Sequence, residues 1–155
     1  MPERSTIRIV AASAKDAALA ASLFDAYRQF YKKPPEVMAA RIYLKDRLKK
    51  KESILFLAFL STMQGKPVGL VHLYPTFSSL SLRPIWILND LFVTPQARGR
   101  RVGEALMNRA RKLAQDTGAS ALILETATGN LRAQRLYERL GYERDTAFYR
   151  YELAI

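Results

Sequence analysis

Cysteine is absent from this 155-residue sequence, and histidine occurs only once. Disulfides, thiolate metal sites and a cysteine nucleophile are therefore excluded. The single histidine, His72, cannot form a metal cluster alone, and we expect no bound metal. Because His72 lies within the apolar stretch from Val68 to Tyr74, we expect it to have a hydrogen-bonded structural role rather than a catalytic one.

Long apolar runs are also missing. The longest run, from Ile54 to Leu60, is much shorter than the ~20 residues that a membrane-spanning helix needs. No signal-peptide pattern opens the chain, so we expect a cytoplasmic protein with no membrane partner. With 49% hydrophobic residues, the chain suits one compact domain, and residues 1–155 are predicted to form it.

Acidic residues are few relative to basic ones, at 14 against 25, and the formal charge is +11. Such an excess fits an acidic ligand or a nucleic acid. Much of it is local, at one predicted helix end and in one loop: Lys45, Arg47, Lys49, Lys50, Lys51, Arg98, Arg100 and Arg101. The first cluster fits a solvated helix C-terminus, where cations are favoured, whereas the arginine cluster requires a separate explanation.

The arginine cluster lies between a predicted strand and a predicted helix. The apolar run from Ile85 to Val93 breaks at Thr94-Pro95, and a helical pattern follows Gly103. Gly99 and Gly103 let the backbone approach a ligand closely, and the first N–H groups of the helix have no intrahelical partner. With the helix dipole and three arginines added, the loop is predicted to hold an anion such as phosphate or pyrophosphate.

The residues alone leave another interpretation of this loop open, an ordinary strand-to-helix turn with solvated arginines. The nucleotide-binding patterns fit poorly, because the loop lacks the Gly-Lys-Ser/Thr ending of a Walker loop and the glycine spacing of the dinucleotide fingerprint. A serine nucleophile in the polar segment that precedes Ile85 is not expected either, because no Gly-x-Ser-x-Gly elbow accompanies it.

Hydrophobic periodicity predicts the elements around the loop. In order they are a strand at Ile7 to Val10, helices at Lys15 to Tyr31 and Glu36 to Lys50, strands at Ile54 to Leu60, Val68 to Tyr74 and Ile85 to Val93, a helix from Val102 closed by Gly118, a strand at Ala121 to Thr126, a helix from Asn130 stopped by Gly141, and a strand at Phe148 to Leu153. Because a crossover helix joins the strands ending at Val93 and Thr126, these strands should be parallel neighbours. Asn130 fits a helix N-cap.

This order of elements, together with two motifs, resembles the GNAT superfamily of acetyl-CoA-dependent N-acetyltransferases. The first motif, Val93-x-Pro95-x-x-Arg98-Gly99-x-x-Val102-Gly103, looks like the family's pyrophosphate-binding loop. The second, Asn130-x-x-Ala133-x-x-Leu136-Tyr137-x-x-x-Gly141-Tyr142, is similar to the family's second cofactor-contacting segment. One departure is Arg101, which stands where the family usually has glycine.

The resemblance implies an α/β fold of the α+β mixed-sheet type. In that fold, helices flank a central twisted mixed β-sheet, and the two parallel central strands separate in a V-shaped splay. The resemblance also implies acetyl-CoA as cosubstrate. The cofactor contacts carried over by motif position are Leu91, Phe92, Val93, Arg98, Gly99, Arg100, Arg101, Val102, Gly103, Glu104, Asn130, Ala133 and Tyr137. At Arg101, the backbone must take a dihedral angle that an L-residue tolerates, with the side chain turned outward.

The implied reaction is direct attack of an amine on the thioester in a ternary complex, since no cysteine is available to form an acyl-enzyme. Tyr137 matches the family tyrosine that protonates the departing thiolate, and a core aromatic at helical spacing is the alternative interpretation. Asp90 and Glu125 lie on the two strands that border the expected cleft, and both are candidate bases. Their alternative interpretation is as hydrogen-bonded structural carboxylates.

The implied acceptor is a primary amine of a small molecule or peptide. Family members often dimerise through C-terminal strands, and the aromatic edge from Phe148 to Tyr151 fits a homodimer. Two non-catalytic alternatives are a sensor that binds acyl-CoA and a basic module that binds nucleic acid. Nucleic acid is the less expected partner, because the arginines gather on a glycine loop and the aromatics mostly occupy periodic inward positions.

Overall fold

The computed structural model describes residues 5–155, which divide into two compact units. The first unit runs to Leu124, and the second covers Glu125–Ile155. The first unit contains strands β1 (Ile7–Ala11), β2 (Ile54–Leu60), β3 (Gly69–Ser78), β4 (Arg83–Val93) and β5 (Leu122–Ile123), with helices α1 (Ala17–Phe30), α2 (Val37–Lys49) and α3 (Val102–Asp116). The second unit contains helix α4 (Leu131–Arg139).

The five strands form one mixed sheet in the order β1-β2-β3-β4-β5. Strands β1 to β4 pair antiparallel, whereas β4 and β5 pair parallel, as the crossover helix between them requires. The mixed α/β fold and the parallel pair are thus confirmed. The β4–β5 ladder ends at Ile87, where β5 ends, while β4 itself continues to Val93 without β5 as a ladder partner.

Helices cover both faces of the sheet. Leu55 and Leu57 of β2 belong to the core that forms against α1 and α2. The alternate residue Phe56 lies under the Arg109 guanidinium of α3, 4.2 Å from the ring centroid, so α3 covers the opposite face. Gly69 allows this close packing, because a Cβ there would lie 3.0 Å from side-chain atoms of both Val102 and Leu106.

A β-bulge interrupts the β3–β4 ladder beside the buried histidine. His72 pairs with Asp90, but the next residue, Leu73, pairs with Leu88. Asn89 is therefore an extra residue on β4 with no residue opposite it on β3. Such an insertion changes which face the following side chains reach, and it lies within the second half of β4.

The predicted final strand is wrong. Phe148 to Leu153 forms no strand in the part of the chain that the structure describes, and Phe148, Tyr149 and Tyr151 are 80%, 89% and 90% exposed. These residues have the β-propensity of a strand, but a strand also needs a hydrogen-bonded neighbour and a surface to cover. Strand β5, Leu122–Ile123, is also shorter than the predicted strand from Ala121 to Thr126.

None of the helices within residues 5–155 is long and apolar enough to cross a membrane.

Candidate active site

The loop between β4 and α3 is held by the first of its three arginines. Strand β4 ends at Val93, where a break was predicted at Thr94-Pro95, and a short 3-10 turn at Pro95–Ala97 follows it. The Nε of Arg98 then donates to the carbonyl oxygen of Val93 at 3.0 Å, and its guanidinium lies 5.9 Å and 5.8 Å from the ring centroids of Phe30 and Phe92. Arg98 therefore folds back over β4 and fixes the shape of the loop.

Two residues of the loop adopt positive φ angles. Gly99 has φ +79°, and Arg101 has φ 64° and ψ 18°, in the small left-handed region that an L-residue tolerates. Helix α3 begins directly after Arg101, and the N–H groups of its first turn have no carbonyl partner within the helix. This arrangement has the backbone conformation expected of an anion-binding loop.

The other two arginines leave the loop strongly positive. Arg100 donates from Nη1 to the hydroxyl oxygen of Thr62 at 3.3 Å. Arg101 is turned outward, with its side chain 82% exposed, and its Nε lies 3.4 Å from a carboxylate oxygen of Glu104. An ion pair this exposed adds little stability, so the Arg101 side chain can turn towards an incoming anion at small cost.

A cleft of about 480 Å³ opens beside β4 in the same unit. It is lined by Phe24, Tyr27, Arg28, Tyr31, Lys33, Glu36, Ala39, Ala40, Tyr43, Tyr74, Asn89 and Asp90. Five of these twelve residues are aromatic, and they come from α1 and its C-cap, from α2 and from β3; the carboxylates of the cleft are those of Glu36 and Asp90. Ring contacts order the walls: Phe24 and Tyr43 stack with centroids 6.1 Å apart, and Tyr27 and Tyr31 meet edge to face with centroids 5.2 Å apart.

Asp90 is the buried carboxylate of this cleft, only 4% exposed. Its Oδ1 accepts from the side-chain amide of Asn89 at 3.0 Å, and its Oδ2 lies 3.0 Å from Nδ1 of His72. The structure thus places this predicted residue at a pocket wall with two polar neighbours. It also confirms a hydrogen-bonded histidine, since His72 is fully buried and contacts polar groups through both ring nitrogens.

Of the other charged groups at the cleft, Arg28 and Glu36 form ion pairs. Arg28 pairs with Asp25 at 3.1 Å and with Glu36 at 2.9 Å. The hydroxyls of Tyr43 and Tyr74 are hydrogen-bonded to each other. Burial, reinforced by that hydrogen bond and by the neighbouring negative charge of Asp90, holds the pKa of Tyr74 well above its usual value. Tyr74 is therefore a neutral phenol rather than a proton acceptor.

The second unit carries the remaining predicted site residues. Asn130 caps α4, as predicted, with its Oδ1 accepting from the backbone N–H of Ala133 at 3.3 Å. Tyr137 is half-buried, and its ring centroid lies 6.0 Å from that of Tyr142. The carboxylate of Glu125 pairs with Arg150 at 2.7 Å, and its side chain is 62% exposed.

Comparison with known proteins gives this architecture a family. Residues 20–142 match the acetyltransferase (GNAT) family. The chain belongs to this family.

Individual relatives of this GNAT acetyltransferase agree with that assignment. The uncharacterized N-acetyltransferase YhfO of Bacillus subtilis is 43% identical over 144 residues, which cover 93% of this chain and 95% of YhfO. The D-amino-acid N-acetyltransferase HPA3 of Saccharomyces cerevisiae is 33% identical over 61% of this chain and 58% of its own. The crystal structure of a probable acetyltransferase superposes with a TM-score of 0.88 at 38% identity, covering 96% of this chain and 97% of that one.

Sequence reasoning missed two parts of this acetyltransferase. The first is the aromatic lining of the cleft, which comes largely from helices whose sequences contain no recognisable functional motif. The second is Ser53, which contacts His72 but has no sequence feature that predicts this contact. The available hint for the cleft was that Phe24 and Tyr27 occur beside the buried alanines and Leu23 in the apolar pattern of α1. Within residues 5–155, no three His, Asp or Glu side chains are grouped to hold a metal ion.

The strained conformation of Arg101 gives a first prediction. Arg101→Gly should raise the free energy of unfolding of this acetyltransferase by up to about 1 kcal/mol, because glycine relieves the left-handed backbone. Arg100→Gly is the matched control: Arg100 is not among the residues with positive φ, so glycine there should not stabilise. Denaturant unfolding of both variants measures the difference. A lower free energy of unfolding for Arg101→Gly than for wild type would show that the backbone of Arg101 is not strained.

Proposed function

We propose that this GNAT acetyltransferase transfers an acetyl group from acetyl-CoA to a primary amine of a small molecule or peptide. The observation that carries the proposal is the position of Asp90. Its side chain lines the aromatic cleft, and in the chain it immediately precedes Leu91 to Val93, the end of β4 that leads into the loop before α3. An acceptor site and a cofactor loop on one strand are what a direct transfer between two bound substrates requires.

The residues of the first unit fit acetyl-CoA, which supplies an activated acetyl thioester when bound. Leu91, Phe92 and Val93 lie on the part of β4 that extends past its ladder with β5, so their backbone groups on that side can pair with the pantetheine arm. The positive loop would bind the pyrophosphate through Arg98, Gly99, Arg100, Arg101, Val102, Gly103 and Glu104, chiefly by backbone N–H groups. A β4 N–H would also stabilise the oxyanion.

Asp90 is the base that we propose for the acceptor amine. An amine enters as an ammonium ion at neutral pH and must lose a proton before it can attack a carbonyl carbon. A buried carboxylate among aromatic faces attracts an ammonium ion through both charge and cation–π contacts. Glu125 is the second candidate, and its ion pair with Arg150 would have to open before it could take a proton.

Tyr137 is proposed as the hydrogen-bond donor to the departing sulfur, and Asn130 and Ala133 as further cofactor contacts. These roles come from the family motif of α4. A tyrosine hydroxyl ordinarily has a pKa near 10 and a thiol one of about 8.5, so the Tyr137 hydroxyl is of a type that donates a hydrogen bond to a thiolate. Donation of this kind lowers the barrier to carbon–sulfur cleavage without requiring a metal ion.

The acceptor and the assembly are further parts of the proposal. HPA3 is named for acetylation of D-amino acids, which supports a small-molecule acceptor for this chain. The exposed aromatic segment from Phe148 to Tyr151 supports a homodimer, since large apolar patches often mark interfaces.

The experiment that tests the proposed function is a calorimetric titration with acetyl-CoA at physiological salt. Saturable one-site binding is expected, with no comparable binding of a short DNA duplex. Gly99→Val should weaken acetyl-CoA binding at least about tenfold, because a β-branched residue strains the backbone at φ +79°. Gly65→Val is the matched control, since Gly65 has the same strain at φ +81° outside the proposed site. Failure to bind acetyl-CoA would overturn the proposal.

A further inference from the structure

A buried serine–histidine pair lies behind the cleft wall. Nε2 of His72 contacts the hydroxyl of Ser53 at 2.7 Å, and Nδ1 contacts Asp90 at 3.0 Å. His72 has no exposed surface and Ser53 is 4% exposed, whereas Asp90 lines the cleft. A chain of three polar side chains therefore runs from the protein interior to the pocket wall.

For an ionised carboxylate and a neutral imidazole, the chemistry of these groups sets the direction of the hydrogen bonds. An ionised Asp90 can only accept, so Nδ1 of His72 carries the proton and donates to it. In a neutral imidazole, Nε2 then accepts from the hydroxyl of Ser53. The His72 ring is also held by aromatic neighbours, with centroids 4.8 Å from Tyr74 and 6.0 Å from Phe24. Its orientation is thus determined on all sides.

This arrangement leaves part of Asp90 available to a ligand. A carboxylate offers about four acceptor positions. His72 occupies one on Oδ2, and Asn89 occupies one on Oδ1. The remaining positions can accept an ammonium proton while the carboxylate is held still. Orientation of a reacting group within a narrow range is worth several orders of magnitude in rate.

We propose that His72 and Ser53 are positioning residues that hold Asp90 in the orientation that takes the acceptor's proton. This inference rests on the proposed function. The N–H bond of the bound ammonium breaks, a proton joins Asp90, and the amine lone pair becomes free to attack the acetyl carbon. Asp90 later releases the proton to solvent through the cleft. His72 donates one hydrogen bond throughout and is not itself a catalytic residue.

The arrangement also argues against Ser53 as a nucleophile. Serine, histidine and aspartate in this order resemble a hydrolase triad, but Ser53 is not among the residues that line the cleft, and Asp90 is. The direction of the chain is therefore reversed relative to a serine hydrolase, with the carboxylate rather than the hydroxyl at the substrate end.

Variants of His72 separate positioning from folding. His72→Leu removes the donor to Asp90, whereas His72→Asn places an amide N–H near the position of Nδ1. We expect His72→Leu to lower kcat about 10- to 100-fold, the range typical of lost supporting hydrogen bonds, with acetyl-CoA affinity within about twofold of wild type. The kcat of His72→Asn should be close to that of wild type, and Ser53→Ala should lower kcat by a smaller factor than His72→Leu does. Thermal melts confirm that each variant is folded.

The inference would be overturned if folded His72→Leu had the same kcat as wild type. It would also be overturned if the kcat of His72→Asn were no higher than that of His72→Leu. If the wild type binds acetyl-CoA but acetylates no amine, the proposed function fails separately. The inference is then decided by ¹⁵N NMR of the His72 ring. A protonated Nδ1 whose resonance shifts when a primary amine is added supports it, and a resonance that amines do not move overturns it.

Discussion

Tyr137→Phe should lower kcat about 100-fold or more and leave the dissociation constant of acetyl-CoA within about twofold of wild type. The substitution removes one hydroxyl and keeps the half-buried ring, so α4 should keep its packing. Without that hydroxyl, the negative charge that develops on sulfur loses its oriented donor. The loss therefore falls on the transition state rather than on cofactor binding.

The test of Tyr137 needs a matched aromatic control. Tyr142→Phe removes a hydroxyl from the ring that neighbours Tyr137, with centroids 6.0 Å apart. We expect Tyr142→Phe to keep kcat within about threefold of wild type. Thiol release at saturating acetyl-CoA gives kcat, and calorimetry gives the dissociation constant. Unchanged turnover of Tyr137→Phe would mean that Tyr137 is a packing residue.

Asp90→Asn should lower kcat/KM for the acceptor about 100-fold or more at neutral pH. Asparagine preserves the shape of the side chain but cannot take a proton or attract an ammonium ion. The difference in kcat/KM between wild type and Asp90→Asn should become smaller as pH rises towards about 10, the ordinary pKa of an alkyl amine. More of the acceptor is then already deprotonated when it binds. Tyr74 cannot substitute as the base, since its raised pKa keeps it neutral over that range.

Two carboxylate variants make the Asp90 experiment specific. Glu36→Gln changes a residue of the same cleft whose charge is already paired with Arg28, and we expect a loss of less than about threefold. Glu125→Gln tests the other candidate base. If Glu125→Gln rather than Asp90→Asn abolishes turnover, the base has been assigned to the wrong carboxylate.

Local signals in the sequence predicted much of the fold. The break at Thr94-Pro95 and the glycines after it gave the strand, loop and helix, and Ile54 to Leu60 was predicted at the bounds that β2 has. Asn130 was predicted as an N-cap from residue type alone and is one. Each of these features is decided by residues within a few positions of one another, which is why sequence patterns reveal them.

Non-local features escaped the same reasoning. The face that Asp90 reaches depends on the bulge at Asn89, and alternation along β4 cannot reveal an inserted residue. Ser53 and His72 are in contact because β2 and β3 are neighbours in the sheet. No local pattern in either stretch of sequence predicts that contact. The wrong final strand at Phe148 to Leu153 had the right composition, but strand formation depends on a partner that composition does not supply.

The most direct test of the account is an initial-velocity grid, with acetyl-CoA and a small primary amine varied together and released thiol measured. Direct transfer in a ternary complex predicts double-reciprocal lines that intersect, together with mass-spectrometric detection of the N-acetylated amine. Parallel lines would contradict it by indicating an acyl-enzyme intermediate. Acetyl-CoA binding without turnover across a panel of amines would contradict it in favour of a sensor.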